Sequence, residues 1–368
     1  MVKRVLIAVG GTGGHVYPAV ALARKLKEKD PDIYLTFAGG GLNDSRFFDR
    51  AEFPYEEVAC GYFPLRKPIT LLKSLGKVAS GILQSDKIIK EFKPNIVVGF
   101  GSYHTLPVLL TAKMRSIPIV LHEGNAVPGR VNRLLAKHAV FTGIQFPGAA
   151  NLLKGKTVEI DAPLREEVQR NQQQKSDSLN YFNLNSEKNT LLVFGGSQGA
   201  FAINRLMTHA LSKYPGDLQT LQVIHFTGNK EECERVRKHY DDIKVEHCVK
   251  DFEREIGKAW NVADLVVGRA GAGTIAEALE FEVPAVLIPY NYAMDDHQAR
   301  NGEFMANIVG GALIFNEGEI DAEKLAGEIF NLLQKEPMTS QKMKQCMKDY
   351  KDKVQQQDLS TLVAELIP

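Results

Sequence analysis

Two short apolar runs, each emptying into a glycine-rich turn and then a helical pattern, limit what this chain can become. Residues 5–9 are unbroken Val, Leu, Ile, Ala and Val, followed by Gly10-Gly11-Thr12-Gly13-Gly14-His15, after which Ala19, Leu22, Ala23 and Leu26 recur at helical spacing. Residues 191–194 run likewise into Gly195-Gly196-Ser197-Gln198-Gly199-Ala200, and Ile203, Leu206, Met207 and Ala210 carry the helical period onward. A run so short and without polar alternation suits a parallel strand buried on both faces. The pairing recurs downstream. Pro94-Asn95-Ile96-Val97-Val98-Gly99 is mirrored by Ala263-Asp264-Leu265-Val266-Val267-Gly268, and residues 118–121 by residues 284–288. The expectation is an α/β chain holding two copies of one architecture, each an open parallel sheet with helices between its strands.

Length agrees, since about 150 residues per domain divides 368 residues into two or three units. The boundary is expected near Pro163, with residues 1–163 as the first domain and 164–347 as the second. A C-terminal helix within 348–368 has the freedom to pack back on the first. Residues 166–189, rich in Gln, Asn, Ser and Lys, read as a helix-bearing linker with a solvated loop. Residues 343–366 read as one last helical stretch with no strand after it.

Charge excludes one class of partner. With 45 Lys and Arg against 44 Asp and Glu, net +1, no global field attracts nucleic acid, so an anionic surface must be met by a local patch. Cys60, Cys233, Cys248 and Cys346 are scattered without zinc or disulfide spacing, as expected for reduced thiols in a cytosol. Gly10-Gly11 cuts the N-terminal apolar run short of a signal segment, and no stretch approaches the roughly 18 apolar residues of a membrane span. Membrane contact is therefore expected to be peripheral. Residues 62–78 offer the patch: Phe63, Leu65 and Leu72 interleave with Arg66, Lys67, Lys73 and Lys77, with no acid among them. Such a stretch suits an anionic bilayer, at about 1 kcal/mol per basic residue, and equally an ordinary amphipathic surface helix.

Ligands of open α/β sheets lie beyond the carboxyl ends of the strands, where every glycine turn of this chain falls. The dinucleotide fingerprint fails, because Val16 stands where the third glycine belongs and the second strand ends Phe37-Ala38-Gly39-Gly40-Gly41 without an acid. No Gly-Lys-Ser/Thr follows a glycine loop, which excludes a P-loop. Asp30-Pro31-Asp32 has metal-ligand spacing at the wrong edge of the sheet, and Asp295-Asp296 beside His297 does not make a metal site. No metal or cofactor is expected. His15, at the mouth of the first helix, suits a general base kept neutral by the helix dipole, or simply a capping histidine. Glu123 is a second candidate base, or a residue that orients its loop. The densest constellation is Gly268-Arg269-Ala270-Gly271-Ala272-Gly273-Thr274-Ile275-Ala276-Glu277, a strand end opening into a bare helix N-terminus. There N–H groups from Ala272 to Ile275 and the Thr274 hydroxyl would hold a diphosphate, and Glu277 would accept the hydroxyls of a ribose. A helix-dipole role for Glu277, at about 0.3–1 kcal/mol, stays open.

Taken together, Gly10-Gly11-Thr12-Gly13-Gly14-His15, His122-Glu123-Gly124-Asn125, the Gly195 to Ala200 turn, the Gly271 to Glu277 opening and His297-Gln298 resemble the bacterial MurG-type family of peptidoglycan synthesis, over nearly the whole chain. The resemblance implies the GT-B architecture, two Rossmann-like domains facing across a cleft. It also implies a metal-independent, inverting transfer of N-acetylglucosamine from UDP-N-acetylglucosamine to the 4-hydroxyl of the muramoyl sugar of lipid I, at the cytoplasmic face of the bacterial inner membrane. Ser197 and Ala272, Gly273, Thr274, Ile275 and Ala276 would then contact the diphosphate, Glu277 the ribose, the Val249 backbone the uracil and Gln298 the donor sugar. Thr12, Gly13, Gly14 and Asn125 would close over the transferred sugar, with Arg165 at the hinge. Three positions depart from the family pattern: Ala162 and Ser102, where Asn and Gly are usual, and Gly124, where Gln is common. Competing readings are a UDP-N-acetylglucosamine 2-epimerase, a diacylglycerol glycosyltransferase, a nicotinamide-dependent oxidoreductase and a nucleotide-binding regulator without catalysis. The basic apolar segment weighs against the first, the failed fingerprint against the oxidoreductase, and His15 with Glu277 against the regulator.

Overall fold

The computed structural model describes residues 2–62, 68–170, 174–196 and 199–367. Contacts divide the chain into two compact units, Met1–Arg165 with Gln356–Pro368, and Glu166–Gln355. In the first unit β1 (Arg4–Ala8), β2 (Tyr34–Gly39), β3 (Tyr55–Glu57), β4 (Ile96–Gly99), β5 (Ile119–Glu123), β6 (Phe141–Ile144) and β7 (Thr157–Glu159) form a sheet in the order β3-β2-β1-β4-β5-β6-β7. In the second, β8 (Asn189–Phe194), β9 (Leu221–Phe226), β10 (Glu246–Lys250), β11 (Leu265–Gly268), β12 (Ala285–Leu287) and β13 (Ala312–Ile314) take the order β10-β9-β8-β11-β12-β13. Every pairing is parallel. The apolar runs are the central strands: Val5, Leu6, Ile7, Leu191, Leu192 and Val193 are fully buried. Strand order reverses between β1 and β4 and again between β8 and β11, and each reversal opens a ligand crevice beyond the carboxyl ends.

Helices cover both sheets: α1 (Gly13–Lys29), α2 (Pro68–Phe92), α3 (Leu106–Met114) and α4 (Arg130–Leu135) in the first unit, then α5 (Lys175–Phe182), α6 (Phe201–Ser212), α7 (Lys230–Asp242), α8 (Ile256–Val262), α9 (Ala272–Phe281), α10 (His297–Glu303), α11 (Ala322–Phe330) and α12 (Pro337–Lys353) in the second, and α13 (Leu359–Glu365) back in the first. The helical stretch read at 343–366 breaks where Val354 leaves the helix in extended backbone. Up to that point Met343 and Met347 are buried in the second unit, whereas Leu359, Val363 and Ile367 join Val16, Ala19, Val20 and Ala23 in a core of the first. Asp358 caps α13 through Ser360 N at 3.1 Å and pairs with Lys29 at 3.2 Å.

Residues 166–170 and 174–189 pack into the second unit and do not form a linker. Ser178 and Phe182 are buried, and Gly257 of α8 lies so close to the 167–168 backbone that a Cβ would meet Glu167 O at 1.9 Å. Arg170 N donates to Glu280 Oε1 at 3.0 Å. The polar composition belongs to the outer face of α5, while a few small or aromatic residues seat its inner face.

Candidate active site

The first-unit crevice is built on β1 and α1. A Cβ on Gly10 would stand 2.2 Å from Gly40 O, so only glycine lets β1 and β2 deliver their turns this close. Thr12 is the N-cap of α1 but makes no side-chain cap, and no acid stands in the first turn, which leaves its N–H groups bare of carboxylate. Gly13 and Gly14 open the helix. His15 lies in that turn, partly buried, its N–H on Thr12 O at 3.0 Å and its Nδ1 3.4 Å from Thr12 Oγ1. Behind it His122 is buried, with Nε2 3.0 Å from Gln145 Nε2 and its ring 4.9 Å from that of Phe100. Burial, with the nearby His15 adding to it, pushes His122 down to about 3, so this ring is neutral at pH 7.

Glu123 does not fit the part of a base. It is 3% exposed, its Oε1 accepts from Asn125 N at 3.0 Å and Asn125 Nδ2 at 3.3 Å, and its Oε2 from Gly129 N at 2.8 Å and Asn132 Nδ2 at 2.9 Å. Burial raises its carboxyl against the pull of those bonds. With both oxygens doubly engaged, Glu123 orients the loop that carries Asn125, the alternative left open in the sequence. Asn132, which the sequence did not single out, holds this loop to His122 O at 2.9 Å, and its Oδ1 has no partner among the described residues. Arg165, the last residue of its segment of the first unit, stacks over Tyr17 of α1 at 4.0 Å.

In the second unit α9 opens directly after β11. Its N-cap, Gly271, is extended, offers no side-chain cap and is followed by no acid in the first turn. Ile275 N is already bonded to Gly271 O at 3.0 Å, so N–H donation ends at Ala272, Gly273 and Thr274. This corrects the expectation for Ile275, which is also buried, and for Ala276, whose N–H falls within the helical ladder. A Cβ on Gly273 would meet nothing within 4 Å, so packing does not demand this glycine and the helix mouth stands open. Thr274 is buried with Oγ1 turned toward Gly271.

Glu277 is oriented by a residue that sequence reasoning missed: Trp260 Nε1 donates to Oε2 at 2.7 Å. The signal was available, because a lone buried tryptophan needs an acceptor for its N–H. Arg269 was also passed over. It is buried, donates to Ile288 O and Pro289 O at 3.1 Å each and to Glu317 Oε1 at 2.8 Å, and so ties down the segment after β12. There Gln298 Oε1 accepts from Tyr290 N at 3.0 Å, and Asp295 and Asp296 hold φ of 54° and 51°, uncommon for residues with a Cβ. Val249 lies on the edge strand β10, where its carbonyl accepts from Arg237 at 3.0 Å. The next carbonyl, of Lys250, bonds inward to Thr227 N, so alternation along a parallel ladder turns Val249 N–H to the open edge.

Ser197, and Phe63, Leu65, Arg66 and Lys67 of the basic apolar segment, lie outside the described residues. Of that segment Leu72 is 72% exposed and Lys73 exposed at the start of α2. Among the described residues no three of His, Cys, Asp or Glu gather as a metal site, and no helix is long and apolar enough to cross a membrane.

The glycosyltransferase family 28 N-terminal domain matches residues 5–142 and its C-terminal domain residues 190–358. A protein of Protochlamydia amoebophila named UDP-N-acetylglucosamine–N-acetylmuramyl-(pentapeptide) pyrophosphoryl-undecaprenol N-acetylglucosamine transferase is 43% identical over 99% of this chain and 96% of its own. One of the same name from Chlamydia felis is 33% identical over 89% of each. The crystal structure of Acinetobacter baumannii MurG superposes with a TM-score of 0.73 at 26% identity, covering 99% of both chains. Os79 from O. sativa reaches the same TM-score at 12% identity, a likeness of fold alone. The chain belongs to the MurG family of N-acetylglucosamine transferases, within glycosyltransferase family 28.

Proposed function

We propose that this chain transfers N-acetylglucosamine from UDP-N-acetylglucosamine to the 4-hydroxyl of the muramoyl sugar of lipid I, releasing UDP and forming lipid II. The observation that carries this reading is the 43% identity, over 99% of the chain, to a transferase named for that reaction. The site chemistry supports it. Inversion needs a base for the attacking hydroxyl and stabilisation of the departing diphosphate. His15, in an uncapped helix turn, is the proposed base: it takes the proton as the new glycosidic bond forms and the sugar–phosphate bond breaks. The bare N–H groups of Ala272, Gly273 and Thr274, with the Thr274 hydroxyl, receive the growing negative charge on UDP, Glu277 takes the ribose, and Val249 N–H meets the uracil. Ser197, Gln298, Asn125, Thr12, Gly13, Gly14 and Arg165 complete the proposed sugar-nucleotide contacts. A polyprenyl-linked acceptor would bring the reaction to a membrane surface, here proposed to be the cytoplasmic face of the inner membrane, and the exposed Leu72 and Lys73 are proposed to touch that anionic surface.

The test mixes purified protein with labelled UDP-N-acetylglucosamine and a lipid I analogue and follows the disaccharide and free UDP. Donor binding without transfer overturns the reading. His15→Ala is expected to lower kcat by roughly 10²- to 10⁴-fold with UDP affinity retained, and unchanged turnover removes His15 from the role.

A further inference from the structure

Ser102 follows β4 with φ 65° and ψ 155°, a combination almost confined to glycine. A residue with a Cβ persists there only where its surroundings over-determine it, and here they do. Thr105, fully buried, donates both its N–H, at 3.3 Å, and its Oγ1, at 3.0 Å, to the Ser102 carbonyl. The preceding Gly101 is itself left-handed at φ 73°, wedged against the Asn132 amide, which a Cβ would meet at 3.3 Å.

The usual reason for a serine at this place is absent. Ser102 precedes the short 3-10 turn Tyr103–Thr105, yet its side chain makes no cap, and its hydroxyl has no hydrogen-bond partner among the described residues. The hydroxyl lies instead against the glycine turn that ends β1. A Cβ on Gly11, at φ 91°, would stand 3.4 Å from Ser102 Oγ and 3.2 Å from the His104 ring. Gly11 thus keeps open a small space that an uncommitted hydroxyl faces, at the β1/β4 reversal and just ahead of the α1 turn that carries His15.

We infer that Ser102 is a specificity-determining contact for the acceptor substrate: its hydroxyl hydrogen-bonds an acceptor oxygen lying along the Gly10-Gly11 turn, and the strained backbone aims it there. The inference rests on the proposed function, since a base at His15 must meet the acceptor hydroxyl at this turn. Local strain held at a site with no structural return is the mark of a geometry kept for binding.

Ser102→Gly and Ser102→Ala separate strain from contact. The glycine variant relieves the backbone and is expected to raise the melting temperature by about 2–6 °C. Its KM for a lipid I analogue should nevertheless rise roughly 3- to 10-fold, the worth of one hydrogen bond, with KM for UDP-N-acetylglucosamine unchanged. The alanine variant keeps the strain and loses the hydroxyl, so it should show the same rise in acceptor KM without the thermal gain. Calorimetric binding of the acceptor analogue gives a readout independent of turnover. Wild-type acceptor affinity in both variants overturns the inference, and so does an equal loss of donor affinity. Absence of transfer by the wild-type protein instead sinks the functional reading, and the binding comparison still decides the role of Ser102.

Discussion

Replacing Glu277 by Gln should weaken UDP binding by roughly 10- to 100-fold while leaving the second unit folded. The magnitude follows from the geometry around α9. Trp260 Nε1 engages Oε2 at 2.7 Å and fixes the carboxylate from a position that is 1% exposed. A carboxylate so held accepts both hydroxyls of a ribose, and hydrogen bonds to a charged group are worth about 1.5–3 kcal/mol each, against about 0.5–1.5 for neutral pairs. In the glutamine variant the single remaining oxygen stays with Trp260 and the amide turns N–H donors toward hydroxyls that need an acceptor. Loss of one charge-assisted bond therefore sets the scale, at about 1.4 kcal/mol per tenfold in affinity. Isothermal calorimetry with UDP reads it directly, and thermal unfolding checks the fold. If Glu277 serves only the helix dipole, the variant loses about 0.3–1 kcal/mol of stability and binds UDP with wild-type affinity. That pattern refutes the ribose assignment.

Two further outcomes concern stability. His122 in the first unit and His225 in the second are both buried and held down to about 3, His122 by burial with His15 adding, and His225 by burial with Arg235 adding. Below the ordinary histidine value of 6.5 the unfolded chain binds protons that the folded chain refuses, so stability present above pH 6.5 is lost progressively toward pH 3. Unfolding free energies from urea titrations should fall between pH 7 and 5 by up to about 1.4 kcal/mol per pH unit per histidine, and a flat profile contradicts the buried neutral assignment. Asp358→Ala removes the cap of α13 and its pairing with Lys29 and should lower the first unit's stability by about 0.5–2 kcal/mol, read from chemical denaturation. Burial raises this carboxyl, but Ser360, Lys25 and Lys29 outweigh it and hold it at about 2. The difference from wild type should therefore shrink as pH falls from about 4 toward 2.

What the sequence disclosed was what physical chemistry makes local. Central parallel strands announce themselves as unbroken apolar runs because both faces are buried, and helix mouths announce themselves as glycine because backbone must be bare there. Hence β1, β8 and the openings of α1 and α9 were legible to within a residue or two. Long-range partners were not. Trp260 and Glu277 are 17 residues apart, and Arg269 and Glu317 are 48 apart, distances at which no periodicity speaks. Glu123 shows the limit most clearly: a carboxylate beside a histidine reads as catalytic, and only the four donors closing on it reveal an orienting role. Ser102 was visible as a departure from the family's glycine, but not that it keeps the glycine's backbone. The helix at 175–182 was expected within a linker, and its packing into the second unit was hidden because composition averages over its two faces.

The return of α13 to the first unit sets the order of synthesis against the order of completion. Met1–Arg165 leaves the ribosome before Glu166–Gln355, yet Leu359, Val363 and Ile367 belong to its core, and Gln356–Pro368 is made after both. At about 5–20 residues per second, the intervening chain takes on the order of 10–40 s to emerge. Throughout that interval the face of α1 that α13 will cover stands open to water, while Glu166–Gln355, contiguous in the chain, can close on its own. The unit begun first is thus finished last, and a nascent chain cut short before residue 359 carries a complete second unit beside a first one missing a wall.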